Sequence, residues 1–160
     1  MGSTVYLWNA ESGDIQQLMQ TPEEDDYVTS VSWAPDGKHI SVGTYSSEVQ
    51  IWYSSSLRQV RRLNGHAARV GALAWYGAIC SSGGIDCKIF NHDVRVREHI
   101  VAEYEGHQQE VCGVKWSPSG AQLASGGNDN LLHIWDAARS QPVPATAHSG
   151  GYLHRFEQHQ

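Results

Sequence analysis

Residues 106–136 read GHQQEVCGVKWSPSGAQLASGGNDNLLHIWD, and this stretch decides the fold. Within it VCGVKW, LASGG and LHIW are short runs, with PSG and GGND between them supplying the preset and positive φ of tight turns. The same words recur up the chain. VTSVSWAPDG, VGALAWYGAI and VCGVKWSPSG align on Trp33, Trp75 and Trp116, at steps of 42 and 41 residues. A second series, Trp8, Trp52 and Trp135, has a gap that His92 fills. VYLWNA, VQIWYS, IFNHDV and LHIWDA align on it, and ISVGTYS, ICSSGGID and LASGGND occupy the slot between the two series. SVSW, ALAW and VQIW are short, alternating and rich in β-branched or aromatic residues, which predicts strands. No segment holds an amphipathic helical period for three turns. The sequence predicts an all-β chain built on a period of about 42 residues.

The composition narrows the function. The chain has 160 residues, with 11 Lys and Arg against 17 Asp and Glu, for a formal charge of -6. That balance, with scattered basic residues, argues against a nucleic-acid groove, which needs clustered cations. No apolar run approaches the roughly 20 residues that cross a bilayer, and no basic-then-apolar leader opens the sequence, so no membrane role is expected. Cys80, Cys87 and Cys112 are odd in number and lack C-x-x-C spacing. A disulfide framework and a zinc site are therefore not expected, and a reducing compartment is. Six tryptophans in a chain this short suggest a repeated slot, because each indole needs a large pocket and a partner for its N–H.

A 40–45-residue unit of four short strands, with Gly-His near its start and Trp-Asp at its end, resembles the WD repeat of β-propellers. The fullest copy runs from Gly106-His107 to Trp135-Asp136. The resemblance implies a hydrogen-bonded network of His107, Ser125, Asp129 and Trp135. His66, Ser82 and Asp86 match it in the preceding unit, where His92 stands in place of the tryptophan. The unit before that has Ser46 in the aspartate slot and no Gly-His, so its network is expected to be incomplete. Four strands per blade give a half blade over 4–20 and blades over 27–63, 69–104 and 110–158, the last with a Pro/Gly/Ser loop before an outer strand YLHRFEQH. The sum is about three and a half four-stranded blades of a seven-bladed parent. Propellers close with roughly four to eight blades, so the expectation is a fragment or truncated product spanning 1–160, with bare apolar blade faces.

More particular strings are HAARVGALAW (66–75), NHDVRV (91–96), GHQQEVCGVKW (106–116) and LASGGNDNLLHIWD (123–136). Together they resemble the Fizzy family, the cell-division-cycle coactivators of the anaphase-promoting complex, and look closest to plant members. The resemblance implies a substrate-recognition module for a ubiquitin ligase. Its partners would be the anaphase-promoting complex, substrates carrying KEN-box or D-box degradation signals, and checkpoint proteins. It implies no small-molecule substrate and no cofactor, and a location in nucleus and cytoplasm. The family's KEN site lies where the turns between second and third strands converge, which maps here onto Asn128 and Asn130. An amide that both donates and accepts suits a Lys-Glu-Asn triplet, although Asn-Asp-Asn is also ordinary turn chemistry. Arg69 and Arg97 are electrostatic candidates for a groove between the second and third blades. The family's C-box and Ile-Arg docking tails, and part of its D-box groove, have no counterpart in these 160 residues. A copy without ligase-activating ability is therefore an alternative.

Other features invite different readings. His107, Ser125 and Asp129 have the composition of a hydrolase triad, but no Gly-x-Ser-x-Gly elbow accompanies them, and the repeat frame predicts a brace and no enzyme. His148, His154 and His159 are read as solvated, not as metal ligands. Glu23-Glu24-Asp25-Asp26 reads as a solvated acidic loop, with Thr21-Pro22 beside it as a weak proline-directed phosphorylation signal. Asp93-Val94-Arg95 fits the Asp-x-Arg of cullin-linked WD adaptors, the rival binding function.

Overall fold

The computed structural model describes residues 2–139. The predicted outer strand YLHRFEQH, the loop before it, and His148, His154 and His159 lie outside the described residues. Among the described residues thirteen strands form four antiparallel sheets. The first sheet pairs β1 (Thr4–Trp8) with β2 (Ile15–Gln20). The second runs β3 (Val28–Trp33), β4 (His39–Thr44), β5 (Val49–Tyr53) and β6 (Arg58–Leu63). The third runs β7 (Val70–Tyr76), β8 (Ile79–Gly84), β9 (Lys88–Asp93) and β10 (Ile100–Glu105). The fourth has β11 (Val111–Trp116), β12 (Gln122–Gly127) and β13 (Leu132–Asp136).

The core lies between successive sheets. Val49, Ile51 and Leu63 of the second sheet cluster with Val70 and Cys80 of the third. Ile89 and Tyr104 of the third cluster with Val111, Leu123 and Trp135 of the fourth. Leu18 and Met19 of the first pack on Ile40 and Val42 of the second. Close approach at these joints needs small residues. A Cβ on Gly83 would stand 2.6 Å from Val111 Cγ1, so the methylene-free backbone of β8 is what lets the next blade seat.

The two tryptophan series do different work. Trp75 and Trp116, at the ends of the first strands, reach back to the preceding sheet. Trp75 Nε1 donates to Ser41 Oγ and Trp116 Nε1 to Ser81 Oγ, each at 2.9 Å. Trp33 holds the equivalent place on β3, where the described residues supply no preceding β4-like strand, and it is 54% exposed beside Val31 at 56%. The second series stays within its own blade. Trp135 is fully buried and donates to Ser125 Oγ at 2.8 Å.

The first strands of the second, third and fourth sheets carry a bulge at the same point, between Val28 and Ser30, Val70 and Ala72, and Val111 and Gly113. The residues left out of the ladder are Thr29, Gly71 and Cys112. A bulge turns its extra residue away from the strand partner, and here it does so at the blade end where the second strand turns into the third.

Candidate functional site

That end of the blades, termed the upper face below, is built by braces. In the fourth sheet Asp129 accepts from His107 Nδ1 at 2.9 Å, and His107 Nε2 lies 2.7 Å from Ser125 Oγ, which accepts the Trp135 indole. Asp129 also accepts from the Gln108 and Leu131 amides. Burial alone would push its carboxyl up, but the Gln108 amide and the His107 ring outweigh this and hold it below the ordinary value. The third sheet repeats the set. His66 Nδ1 meets Asp86 at 2.9 Å, its Nε2 meets Ser82 Oγ at 2.8 Å, and His92 Nε2 takes the indole's place at 2.9 Å.

The second sheet lacks the histidine and the indole link, as expected of an incomplete network, but its turn gains a carboxylate partner. Asp26, from the acidic run, accepts from both the amide and the hydroxyl of Ser46, at 3.0 and 2.9 Å. The carboxylate and its donor have exchanged sides: the acid sits before the first strand and the small polar residue sits in the turn. Trp52 finds its acceptor in Gln50 Oε1 at 3.0 Å. Thr21 corrects the phosphorylation reading. It is 3% exposed, and its hydroxyl donates to the Asp26 carbonyl at 2.8 Å, so it is closed to a kinase.

The braces fix three equivalent turns, Tyr45-Ser46-Ser47, Ile85-Asp86-Cys87 and Asn128-Asp129-Asn130. The third residue of each has positive φ, with 78° at Ser47, 69° at Cys87 and 63° at Asn130. Asn130 thus has a backbone reason to be asparagine, which tolerates the left-handed region. The first residue of each donates its amide to the carbonyl of the residue preceding the first strand of its own blade: Tyr45 to Tyr27, Ile85 to Arg69 and Asn128 to Glu110. The middle residue is consumed by its brace, and the first residue of each turn, with Asn130, stays exposed.

Tyr27, Arg69 and Glu110 therefore stand at one repeat position, with the bulged Thr29, Gly71 and Cys112 behind them. Together with Val28 they line an open depression of ≈ 330 Å³. Arg69 holds Glu110 in a forked pair, with Nη2 at 2.7 Å from Oε2 and Nε at 3.1 Å from Oε1. Tyr27 stacks on Tyr45 at 4.5 Å between ring centroids. Cys112 Sγ donates to Asn128 Oδ1 at 3.1 Å. The structure thus bonds Asn128 to Glu110 and Cys112, two residues lining a pocket that carries an aromatic ring and a paired ionic couple.

Arg97 is elsewhere. Val70 pairs with Gly84 at the upper end, whereas Ile79 pairs with Asp93 at the opposite end, where the loop holding Arg97 begins. Arg69 and Arg97 therefore do not share a groove, and Arg69 is committed to the joint with the fourth sheet. Sequence reasoning missed Tyr27, Glu110 and Cys112. The signal was present: Tyr27, Arg69 and Glu110 each precede the first-series tryptophan by six residues. His107, Asp129 and His133 also stand close enough to share an ion, but both ring nitrogens of His107 are already taken by Asp129 and Ser125.

The comparisons follow this architecture. Residues 98–136 match the WD domain, G-beta repeat family, and residues 4–78 match the anaphase-promoting complex subunit 4 WD40 domain. The chain is 53% identical to the anaphase-promoting complex subunit cdc20 of Dictyostelium discoideum, over 99% of its own length and 30% of that protein. It is 54% identical to cell division cycle 20.1, cofactor of APC complex, of Arabidopsis thaliana, over 98% of its length and 34% of the relative. The chain belongs to the Fizzy family of WD-repeat coactivators. The B-type cell cycle switch protein ccs52A of Medicago truncatula is 47% identical over 89% of the chain and 30% of its own length. A chain in the crystal structure of the mitotic checkpoint complex superposes with a TM-score of 0.84 at 46% identity, covering 87% of this chain and 44% of that one. This Fizzy-family chain spans about a third of the length of the curated relatives it matches.

Proposed function

We propose that the chain contributes part of a degradation-signal receptor that serves the anaphase-promoting complex in cell-cycle control, working in nucleus and cytoplasm with degron-bearing substrates and checkpoint proteins as its partners. One observation carries the reading. The brace consumes Asp129 and leaves Asn128 and Asn130 exposed, with Asn128 bonded to Glu110 and Cys112 of the Tyr27–Arg69–Glu110 pocket. A Lys-Glu-Asn triplet needs an acceptor for its ammonium and amide and donors for its carboxylate and carbonyls; amides, a carboxylate and phenols at one mouth offer both. The role is binding, not catalysis. Ser125 is 1% exposed, and its oxygen already serves both His107 and the Trp135 indole, which favours a brace over a nucleophile.

The cullin-adaptor alternative is weakened by geometry. Arg95 folds back on Asp93 in a forked pair, with Nη2 at 2.8 Å from Oδ2 and Nε at 2.9 Å from Oδ1, so a partner would have to compete with Asp93 for that edge of the guanidinium.

Titration of the chain with a KEN peptide, its triplet-alanine form serving as control, tests the proposal. Asn128→Ala is expected to weaken binding by about tenfold, the loss of one or two neutral hydrogen bonds. Asn130→Gly removes the second amide without straining the positive φ and is expected to act likewise. Equal affinity for the triplet and its alanine form would refute the reading.

A further inference from the structure

The third sheet holds a hydrogen-bonded series longer than its neighbour's. Asp86, His66 and Ser82 match Asp129, His107 and Ser125, but His92 carries a second ring nitrogen that an indole lacks. That atom, Nδ1, lies 2.9 Å from His99 Nδ1. The series Asp86–His66–Ser82–His92–His99 therefore runs from the upper turn to the loop at the opposite end of the blade.

With all three rings neutral, one arrangement of protons satisfies all five members. The Asp86 carboxylate accepts, so His66 carries its proton on Nδ1 and accepts at Nε2 from the Ser82 hydroxyl. The Ser82 oxygen then accepts from His92 Nε2–H, which leaves His92 Nδ1 as an acceptor. His99 must supply the proton between the two Nδ1 atoms, with its own Nε2 unprotonated. This order puts a basic nitrogen at the outer end of the series, on a half-buried residue.

His99 also closes the loop that joins β9 to β10. Its carbonyl accepts from the Asp93 amide at 2.7 Å. From β6, Arg61 donates to the carbonyls of Val94 at 2.7 Å and Arg97 at 2.9 Å. We propose that His92 and His99 form a proton-operated latch: neutral, they pin residues 94–99 to the blade, and a proton taken up at His99 Nε2 releases that segment.

The charges around the pair set the direction. Arg61 faces it from β6 and His66 from the loop before β7, while Glu98 beside His99 is the one acid that favours the extra proton. Burial, then the Arg61 charge, holds the His99 ring below its ordinary value despite Glu98. Burial, with His99, His66 and Arg61 around it, pushes His92 down to about 3, so the inner ring stays neutral and cannot share the added charge. An imidazolium at His99 would face the Arg61 guanidinium across the carbonyls that guanidinium holds. The inference is independent of any peptide bound on the upper face.

Two measurements on the full chain test it. Long-range ¹H–¹⁵N spectra of the imidazoles at neutral pH are expected to show the proton on Nδ1 of His66, Nε2 of His92 and Nδ1 of His99; any other set overturns the proposal. Amide exchange at Asp93, corrected for its intrinsic pH dependence, is expected to lose about tenfold in protection on going from about pH 7.5 to about pH 5. His99→Asn keeps a donor for His92 Nδ1 and cannot take up a proton, so its loss is expected to stay within about twofold. Equal acid loss in the parent and in His99→Asn overturns the latch, and Arg61→Gln, expected to blunt the loss, gives a second variant should His99→Asn fold poorly.

Discussion

Replacing Trp135 by phenylalanine isolates the bond that ties the last strand of the fourth sheet to its brace. Trp135 is fully buried against Tyr104 and His133, with ring centroids 5.2 Å apart in each pair, and among the described residues its one side-chain hydrogen bond is the 2.8 Å donation to Ser125 Oγ. Phenylalanine keeps the six-membered ring and the packing on Tyr104 but removes the donor and the five-membered ring. A neutral buried hydrogen bond contributes about 1 kcal/mol. The lost ring atoms and the space they leave cost about 1–2 kcal/mol more. The expected destabilisation is therefore roughly 2–3 kcal/mol, read as a fall in urea midpoint at constant slope. Ser125→Ala separates the two contributions. Without the hydroxyl, the same tryptophan substitution can lose only packing, so the double-mutant cycle is expected to return a coupling of about 1 kcal/mol. Ser125→Ala alone is the costlier change, at about 2–4 kcal/mol, because it strands both the indole N–H and His107 Nε2. A coupling near zero with an unchanged total cost would show that the indole acts through its volume alone, and the brace argument would fall.

The first tryptophan series gives an internal contrast: Trp116→Phe, which breaks the bond to Ser81, is expected to cost about 1–2 kcal/mol, while Trp33→Phe stays within about 0.5 kcal/mol, both by urea denaturation. Acid stability carries a definite sign. Asp86 and Asp129 are held below their unfolded value, so each contributes stability that is present above about pH 4 and lost as pH falls through the lower folded value. A stability–pH profile is expected to slope downward there, and Asp129→Asn is expected to flatten part of that slope.

The fold was legible because a propeller writes its period into the sequence in its costliest residue. Trp33, Trp75 and Trp116 are spaced by the blade, and Gly-His with Trp-Asp marks its ends. What each series does was less legible. A tryptophan pointing at its own blade and one pointing at the preceding blade have the same local composition; only the serines at 41, 81 and 125, on alternate faces of the second strands, separate them. The braces could be read where residue types were kept and misled where roles were traded. Asp26 reads as solvated charge in the sequence because it precedes its partner Ser46 by 20 residues in a blade without Gly-His. Arg97 was misplaced for a geometric reason: each strand reverses direction, so the loop after a third strand lies opposite the one before a first strand.

The upper face shows why a repeat can build a binding surface while each blade remains ordinary. Every blade uses the same backbone device, a bulge at the head of its first strand and a positive-φ turn between its second and third, and both are satisfied internally. The positions released by that device are the residue six before the tryptophan, the bulged residue two later, and the outer residues of the turn. None of them contributes to the core, so their chemistry is free to vary: Tyr27, Arg69 and Glu110 at the first position, Thr29, Gly71 and Cys112 at the second, Tyr45, Ile85 and Asn128 at the turn. Variation there changes the chemistry of the mouth without disturbing the brace, whereas variation at Asp129 or Ser125 unfastens the blade. The pairing of Arg69 with Glu110 sharpens the point. It joins the same position in two blades, so a charge change at either alters the chemistry of the pocket and the way the blades are held side by side together.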